Sequence, residues 1–530
     1  MRPAILHHMD IKQLEGWLWE SACSIRGAVD APKYKDYILP LIFVRRLSDV
    51  FDDEIERLAK EFGDRKTALQ MAKKDHSLVR FFVPEDARWE KIRTVTTKIG
   101  EYLTDAMRAI AKENPKLQGV IDIIDYNASV SGERILTDAK LSTLIEILGR
   151  KECRLGLKDV EPDIFGRAYD YLLRKFAEGQ GSSAGEFLTP REVGMLKAKI
   201  LRPRQGQSAY DPTCGSAGLL VKLQLEVKHT DRNIKKPLQL FGQEQSHTTF
   251  AMAWMNMIIH DMEGKIAIGD TMRKPKFLDG SALQTFDIVT ANPMWNQDGF
   301  DADFYDSDPY GRFGAGYPPG SSADWGWVQH MFTSLNAKGR ASIVLDTGAV
   351  SRGSGNQGAN KEKDIRKWFV DQDYIEGVIL LPENLFYNTP APGIILVLNK
   401  AKPKDRKDRI VLVNASQMFK KGRPKNYIPD GFDEEGKYHA ENDLITKTAE
   451  AFIKGEDVEK LVKVISKAEA VKNDYTLSPS RYIETAEATI YREIPEILGE
   501  LGELESDAKV LDKELKGIFD QLGIKPAVRV

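Results

Sequence analysis

An asparagine, a proline and, two places on, an aromatic stand at the end of an apolar run, Phe286-Asp287-Ile288-Val289-Thr290-Ala291-Asn292-Pro293-Met294-Trp295. Residues of these types at this spacing can hold the exocyclic amino group of a purine. The lone pair of such an amine is delocalised into the ring, so the nitrogen is a poor nucleophile. Two acceptors that take its N–H bonds favour the pyramidal form and orient it towards an electrophilic carbon. The side-chain carbonyl of Asn292 supplies one acceptor and the backbone carbonyl of Pro293 the other. Proline brings no competing N–H. Trp295 offers a face on which an unstacked base can lie, worth roughly 1–3 kcal/mol per base.

Three further candidates precede this turn. Asp211-Pro212-Thr213-Cys214-Gly215-Ser216-Ala217-Gly218 follows an apolar strand and opens a helix, and Gly215 and Gly218 suit a tight turn with a ligand close to the backbone. The three-glycine phosphate-binding spacing is not met, and the leading Asp211 suits a cationic or amine-bearing ligand better than a pyrophosphate. Glu244 ends the next strand, where an acid can accept two hydrogen bonds from a ribose diol. Asp270 ends the one after, placed either to accept from an adenine amino group or to cap the following loop.

Motifs at strand ends imply a sheet to carry them. From Tyr210 onwards, strand-length apolar runs alternate with helical stretches: Ser208–Pro212, Leu238–Glu244, Lys265–Asp270, Phe286–Asn292, Ala341–Asp346, Ile375–Leu381 and Ile394–Leu398, with helices at Thr249–His260 and Trp325–Leu335. Nearly continuous apolar strands predict a largely parallel, doubly wound α/β sheet, whose ligands lie beyond the carboxyl ends of the strands. Residues 1–155 instead have helical periodicity, with apolar stripes through Leu14–Cys23, Ile38–Phe51, Leu103–Ile110 and Leu141–Leu148. Lys402–Asp408 reads as a charged linker. Beyond Pro479, Ile490, Ile494, Ile497, Leu501, Leu504, Ala508, Leu511, Leu515, Ile518 and Leu522 alternate spacings of four and three, a heptad seam. Such a helix either folds back on its own domain or docks a partner. Gly499, Gly502 and Gly517 weaken it in isolation and favour the second.

Composition narrows the field. In 530 residues, 76 Lys and Arg against 79 Asp and Glu leave a net charge of −3, which rules out coating nucleic acid by bulk charge but allows a local basic patch. Cys23, Cys153 and Cys214 are too few for a disulfide framework, and neither a membrane-spanning run nor a signal segment is found, so a cytoplasmic protein is expected. None of the three cysteines sits beside a proline as the nucleophile of cytosine C5 methylation would. The eight histidines lack metal-ligand spacing, so no metal is expected, and there is no phosphate loop for ATP-driven translocation.

Taken together, these motifs resemble the modification (M) subunits of type I restriction–modification systems, which are DNA adenine-N6 methyltransferases. The resemblance includes Glu186-Phe187-Leu188-Thr189-Pro190-Arg191, similar to the family segment that contacts the methionine end of the cofactor, and Leu14–Asp49, similar to its N-terminal helical domain. Arg352–Asn360, Ile365-Arg366 and Leu381–Phe386 resemble segments beyond the catalytic strand. The implied fold is α/β: a Rossmann-like S-adenosylmethionine-dependent methyltransferase domain (156–425), preceded by an α-helical domain (1–155) and followed by a C-terminal helical, coiled-coil tail (426–530). Glu186–Arg191, Asp211, Gly215, Ser216, Ala217, Gly218, Glu244 and Asp270 would then hold S-adenosylmethionine, with Asn292, Pro293 and Trp295 catalytic. One departure stands out: position 294 is Met where the family has a second proline.

The resemblance also implies partners: double-stranded DNA, a specificity (S) subunit, a second M subunit and a restriction (R) subunit. A base inside a duplex must be rotated out to reach the site, so phosphate contacts are needed. Arg312, Lys361, Lys363, Arg366, Lys367 and Lys420–Arg423 are the candidate donors. Two rival readings are a catalytically impaired subunit that contributes architecture only, and a methyltransferase acting on protein glutamine, whose turns have similar residues.

Overall fold

The computed structural model describes residues 11–26, 33–160, 162–180, 188–231, 233–295, 297–355, 360–387, 389–433 and 436–484, and scattered helical positions between 499 and 515. The chain divides into two compact units, Met1–Ile483 and Glu484–Val530.

The N-terminal stripes fold as expected. Helices α1 (Ile11–Cys23), α2 (Tyr34–Phe62), α3 (Arg65–Lys74), α4 (Trp89–Ile92), α5 (Ile99–Glu113) and α6 (Asp138–Leu148) bury their apolar faces in one core. The same core takes in Phe165, Tyr169, Leu172 and Phe176 of α7 (Pro162–Gln180). The opposite side of α2 is polar and equally buried. Arg46 donates to the carbonyls of Gly156 (2.9 Å) and Val160 (3.3 Å), Asp49 accepts from the Leu155 N–H (2.8 Å), and Asp53 accepts from Arg154 (2.8 Å) and the Leu157 N–H (2.7 Å). Each buried charge is thereby hydrogen-bonded, as burial requires. These bonds fasten the connection that leads out of the helical layer. Burial still pushes the Asp49 carboxyl up to about 6.

The rest of the larger unit is built on a nine-stranded sheet: β1 (Ser208–Asp211), β2 (Gln239–Glu244), β3 (Gly264–Ile268), β4 (Phe286–Ala291), β5 (Leu335–Asp346), β6 (Ile375–Leu380), β7 (Gly393–Asn399), β8 (Arg409–Asn414) and β9 (Val462–Ser466). In space they run β3-β2-β1-β4-β5-β7-β6-β8-β9. The pairs β1–β2, β2–β3, β1–β4, β4–β5 and β6–β8 are parallel. The pairs β5–β7, β6–β7 and β8–β9 are antiparallel, so the sheet is mixed, with β7 reversed between β5 and β6. Every residue of β6 and β7 is buried, which explains their largely apolar sequences; the polar Glu376 and Asn399 are hydrogen-bonded to each other (3.0 Å). Gly377 in β6 has no room for a side chain: a Cβ there would strike the Val411 carbonyl oxygen and the Phe452 ring.

Three helices position the functional turns: α8 (Arg191–Leu201), α9 (Gly218–Thr230) and α10 (His247–Ile259). The last is shared between layers. Ala251, Met252, Met255 and Ile259 enter the helical core, while Ala253 and Met257 pack with Leu220, Leu240 and Ile266 against the sheet. The sheet also runs past residue 425, where the sequence pattern ends the catalytic domain, through Val462–Ser466. In β9 Lys463 and Val464 are half-exposed and Ser466 exposed, as befits an edge strand, so its run is too short and too mixed to stand out in the sequence. Arg409–Asn414, next to the charged linker, pairs with both β6 and β9.

Of the heptad seam, Ile490, Ile494, Ile497, Ile518 and Leu522 lie outside the described residues. Leu501, Leu504, Leu511 and Leu515 are helical and exposed by 49–63%. Among the described residues no helix is long and apolar enough to cross a membrane.

Candidate active site

The turns after β1, β2, β3 and β4 meet at one edge of the sheet, at the point where the strand order reverses between β1 and β4. They line a cavity of about 580 Å³ that brings together Thr213, Glu244, Asp270, Asn292, Pro293 and Trp295. A smaller cleft beside it joins Leu188 and Thr189 to Asp211, Gly215, Ser216, Gly218 and Asn292.

The β1–α9 turn is left-handed at Gly215 (φ +53°) and at Ala217 (φ +60°), whereas Gly218 begins α9 with ordinary space around it. Only the first of the two glycines therefore has a conformational role. The turn is held from outside by Asn256 of α10, whose amide donates to the Ser216 carbonyl (2.8 Å). Glu244 clasps it as well, with one carboxylate oxygen taking the Gly215 N–H (3.0 Å) and the other the Ser246 N–H (2.8 Å). Glu244 also lines the larger cavity. Asp270 caps its own loop, accepting from the N–H groups of Met272 (2.9 Å) and Arg273 (3.1 Å), while still facing the larger cavity. Gln243, fully buried, ties this loop down by donating to the carbonyls of Gly269 (3.1 Å) and Lys274 (3.0 Å).

Asp211 is 1% exposed. One carboxylate oxygen accepts the Thr213 N–H (3.0 Å), and the other is buried with no hydrogen-bond partner among the described residues. An orphaned carboxylate oxygen in a cleft of this kind fits a cationic ligand group. Burial pushes the Asp211 carboxyl up and the ammonium of nearby Lys197 down, each to about 7, and the charge of each opposes the other's shift.

Asn292 follows the last residue of β4, and its amide is fixed at both ends. Its Nδ2 donates to Thr189 Oγ1 (3.2 Å), and its Oδ1 accepts from Trp295 Nε1 (3.2 Å). The amide carbonyl retains a lone pair for one more donor. The indole of Trp295 meets the Phe386 ring at 4.6 Å and 66°, an edge-on contact, so Phe386 forms a second aromatic wall of the cavity, with Phe300 and Trp327 also on its lining. Gly393 makes this possible. A Cβ there would stand 2.7 Å from the Trp295 ring and 2.8 Å from that of Phe386. Met294 is 60% exposed and takes no part in holding the amide.

Thus Leu188, Thr189, Asp211, Gly215, Ser216, Gly218, Glu244, Asp270, Asn292, Pro293 and Trp295 come together around the two cavities. Pro190 caps α8, and Arg191 turns to Asp430 (2.7 Å) on a separate cavity. Glu186 and Phe187 lie outside the described residues. Phe386, Trp327, Gln243 and Lys197 escape sequence reasoning as site residues. Phe386 alone carries a signal, being the end of the Leu381–Phe386 segment.

Two of the expected phosphate donors are structural instead. Arg312 is buried, donating to Asp308 (2.9 Å) and the Met272 carbonyl (2.9 Å) beside His330, whose pKa burial and Arg312 push down to about 3. Arg366 is wholly buried and donates to the carbonyls of Tyr475 (2.7 Å), Ala349 (3.2 Å) and Arg352 (3.0 Å). Neither can reach DNA. Lys363 pairs with Asp474 (3.2 Å) and Lys367 with Asp371 (2.5 Å), while Lys361, Lys420, Lys421 and Arg423 are exposed. Among the described residues no group of His, Cys, Asp and Glu is arranged to hold a metal.

A sheet ordered 3-2-1-4-5-7-6 with the seventh strand reversed, and an amide-bearing turn after the fourth, defines a methyltransferase of the Rossmann-like class. Comparison with known proteins narrows this. Residues 160–489 match the family model for N-6 DNA methylases, and residues 14–148 match the HsdM N-terminal domain. The chain belongs to the N-6 DNA methylase family. It is 32% identical to the type I restriction enzyme MjaVIII methylase subunit of Methanocaldococcus jannaschii, over 96% of this chain and 84% of that one. It is 27% identical to the MpnII methylase subunit of Mycoplasma pneumoniae, over 96% and 98% respectively. Among solved structures, the type I restriction-modification methyltransferase subunit from Streptococcus thermophilus superposes with a TM-score of 0.74 at 26% identity, covering 90% of this chain and all of that one.

Gly393→Ala tests the aromatic wall. It should displace the Trp295 indole and lower the methyl-transfer rate by about 10–100-fold, with at most about 3 kcal/mol lost in urea unfolding.

Proposed function

We propose that the chain methylates adenine N6 in double-stranded DNA with S-adenosylmethionine, acting as the modification subunit of a type I restriction–modification complex on a base rotated out of the duplex. The observation that carries this reading is the doubly anchored amide of Asn292, presented to the same cavity as Glu244 and Asp270. With its Nδ2 donating to Thr189 and its Oδ1 accepting from the donor-only indole of Trp295, the amide is held in the orientation that offers its oxygen to an amine.

In this reading the extruded adenine lies against Trp295, with Phe386 as the adjoining wall. Its amino hydrogens are accepted by Asn292 Oδ1 and the Pro293 carbonyl, which localises the nitrogen lone pair away from the ring and towards the Asp211 side of the site. Glu244 accepts from the ribose hydroxyls, Asp270 faces the cofactor's adenine, and Asp211 takes its ammonium. The cofactor supplies an electrophilic methyl; the chain supplies acceptors and orientation. No strong base is required, because the surplus proton can leave after transfer. Because Thr189 and Trp295 align the amide without help from residue 294, Met294 is compatible with activity.

A specificity subunit would choose the sequence, with a second M subunit and a restriction subunit completing the complex in the cytoplasm. The exposed seam leucines Leu501, Leu504, Leu511 and Leu515 support docking of a helical partner on the tail.

Three measurements test this reading. With a specificity subunit present, Asn292→Ala should cut tritiated-methyl transfer to DNA on the order of 10²–10³-fold; a wild-type complex without transfer would leave only an architectural role. A chain ended at Glu484 should lose co-elution with the specificity subunit yet keep its calorimetric affinity for S-adenosylmethionine. Asp211 takes up a proton as pH falls through about 7, losing the negative charge that attracts the cofactor's ammonium. Cofactor affinity should therefore weaken on going from about pH 8 to about pH 6, and Asp211→Asn should flatten that dependence.

A further inference from the structure

Lys197, in the second turn of α8, is 1% exposed and among the largest fully buried side chains of the described residues. Taking an ammonium out of water costs several kcal/mol, and a Met or Leu would fill the same space without that cost. Among the described residues its Nζ donates to one acceptor, the main-chain carbonyl of Ala291, at 2.6 Å. Ala291 is the last residue of β4, so this carbonyl belongs to the peptide plane that leads into Asn292. The carboxylate that acts on the ammonium is Asp211, at the end of the neighbouring β1, whose unpartnered oxygen is buried beside the cleft.

The position of Lys197 along α8 gives these facts a common meaning. Thr189 stands two residues before the helix and holds the Asn292 side chain; Lys197 stands within it and holds the backbone just upstream. One rigid helix therefore grips the catalytic turn at two points, one on each side of the Asn292 Cα. A side-chain amide held by Thr189 alone could still swing with its backbone. A backbone held by Lys197 alone would leave the amide free to rotate about its own torsions. Thr189 and Trp295 set the torsions of the amide, and Lys197 sets the peptide from which the Asn292 and Pro293 oxygens project.

We propose that Lys197 is a positioning residue for methyl transfer, which with Thr189 makes α8 a two-point clamp on the Ala291–Asn292 peptide and registers the amine acceptors against the Asp211 side of the site. This rests on the function proposed above, since it gives the clamp a purpose. A lysine is suited to the task because its Nζ donates to the Ala291 carbonyl whether or not it carries a proton in excess, and when it does the charge-assisted bond is stronger and Asp211 balances the charge. Lys197 touches neither substrate nor cofactor in this scheme.

Lys197→Met preserves length and shape while removing the donor and the charge. At saturating S-adenosylmethionine it should lower kcat by roughly 30–100-fold, with KM for DNA changed less than about threefold, because misaiming by a fraction of an ångström penalises the transition state. Its melting temperature should fall, since Asp211 loses the charge that compensates it. Lys197→Arg, which keeps a cationic donor, should recover part of the lost rate. Hydrogen–deuterium exchange over residues 286–295, measured on the chain without DNA, should quicken in the Met variant and return towards wild type in the Arg variant. Two results would overturn the proposal: a Met variant with kcat within twofold of wild type, or one in which kcat falls while exchange over residues 286–295 stays as in wild type, the pattern of a merely structural lysine. A wild-type chain that transfers no methyl group would refute the proposed function instead, and the exchange measurement would then decide the clamp by itself.

Discussion

The amide of Asn292 is held between a threonine hydroxyl and an indole N–H, and most of what surrounds it exists to keep that arrangement in place. A free asparagine on a loop could turn either its oxygen or its nitrogen towards a ligand, at little cost in either direction. Here Thr189 accepts from the nitrogen and Trp295 donates to the oxygen, so the two ends are distinguished by hydrogen-bond polarity before any substrate arrives. Both anchors depend in turn on remote parts of the chain. Thr189 is placed by the start of α8, and Trp295 by the absence of a side chain at Gly393, nearly a hundred residues downstream. Preorganisation of this kind removes a reorganisation cost that would otherwise fall on the reacting step.

The carboxylates around the cavity serve the fold as well as a ligand. Glu244 holds the Gly215 N–H, Asp270 closes its own loop, and Asp211 holds the Thr213 N–H. Each also lines one of the two cavities. The shape of the cavity is consequently maintained by the same atoms that a cofactor would meet, and the turns after β1, β2 and β3 are braced against one another without it.

The sheet, and the turn at Asn292 that ends its fourth strand, are legible in the sequence for a physical reason. Strands such as Phe286–Ala291 and Ile375–Leu380 are buried almost throughout and so are mostly apolar, which local inspection detects even though Asp287 and Glu376, each held by hydrogen bonds, interrupt the runs. Val462–Ser466 gives no such run, because an edge strand needs apolar residues on one side only. Arginine misleads for a related reason. Arg312 and Arg366 have the composition of surface residues, and only the folded chain brings them the carbonyls of Met272, Tyr475 and Ala349 that make burial tolerable. The acceptors of Lys197 and the role of Gly393 are equally invisible in one dimension, since each is defined by a partner far away along the chain. The heptad spacing was readable, and at Leu501, Leu504, Leu511 and Leu515 it corresponds to apolar surface left exposed.

Helix α10 presents one side to the helical core, through Ala251, Met252, Met255 and Ile259, and the other to the sheet, through Ala253 and Met257. It also begins directly after Glu244-Gln245-Ser246. The N-terminal layer is thus no detachable accessory. Excising it would strip the back of a helix on which the nucleoside end of the cleft is mounted, leaving a sticky apolar stripe in water. Engineers who wish to swap recognition modules among such enzymes will have to carry both layers across the graft as a single cassette.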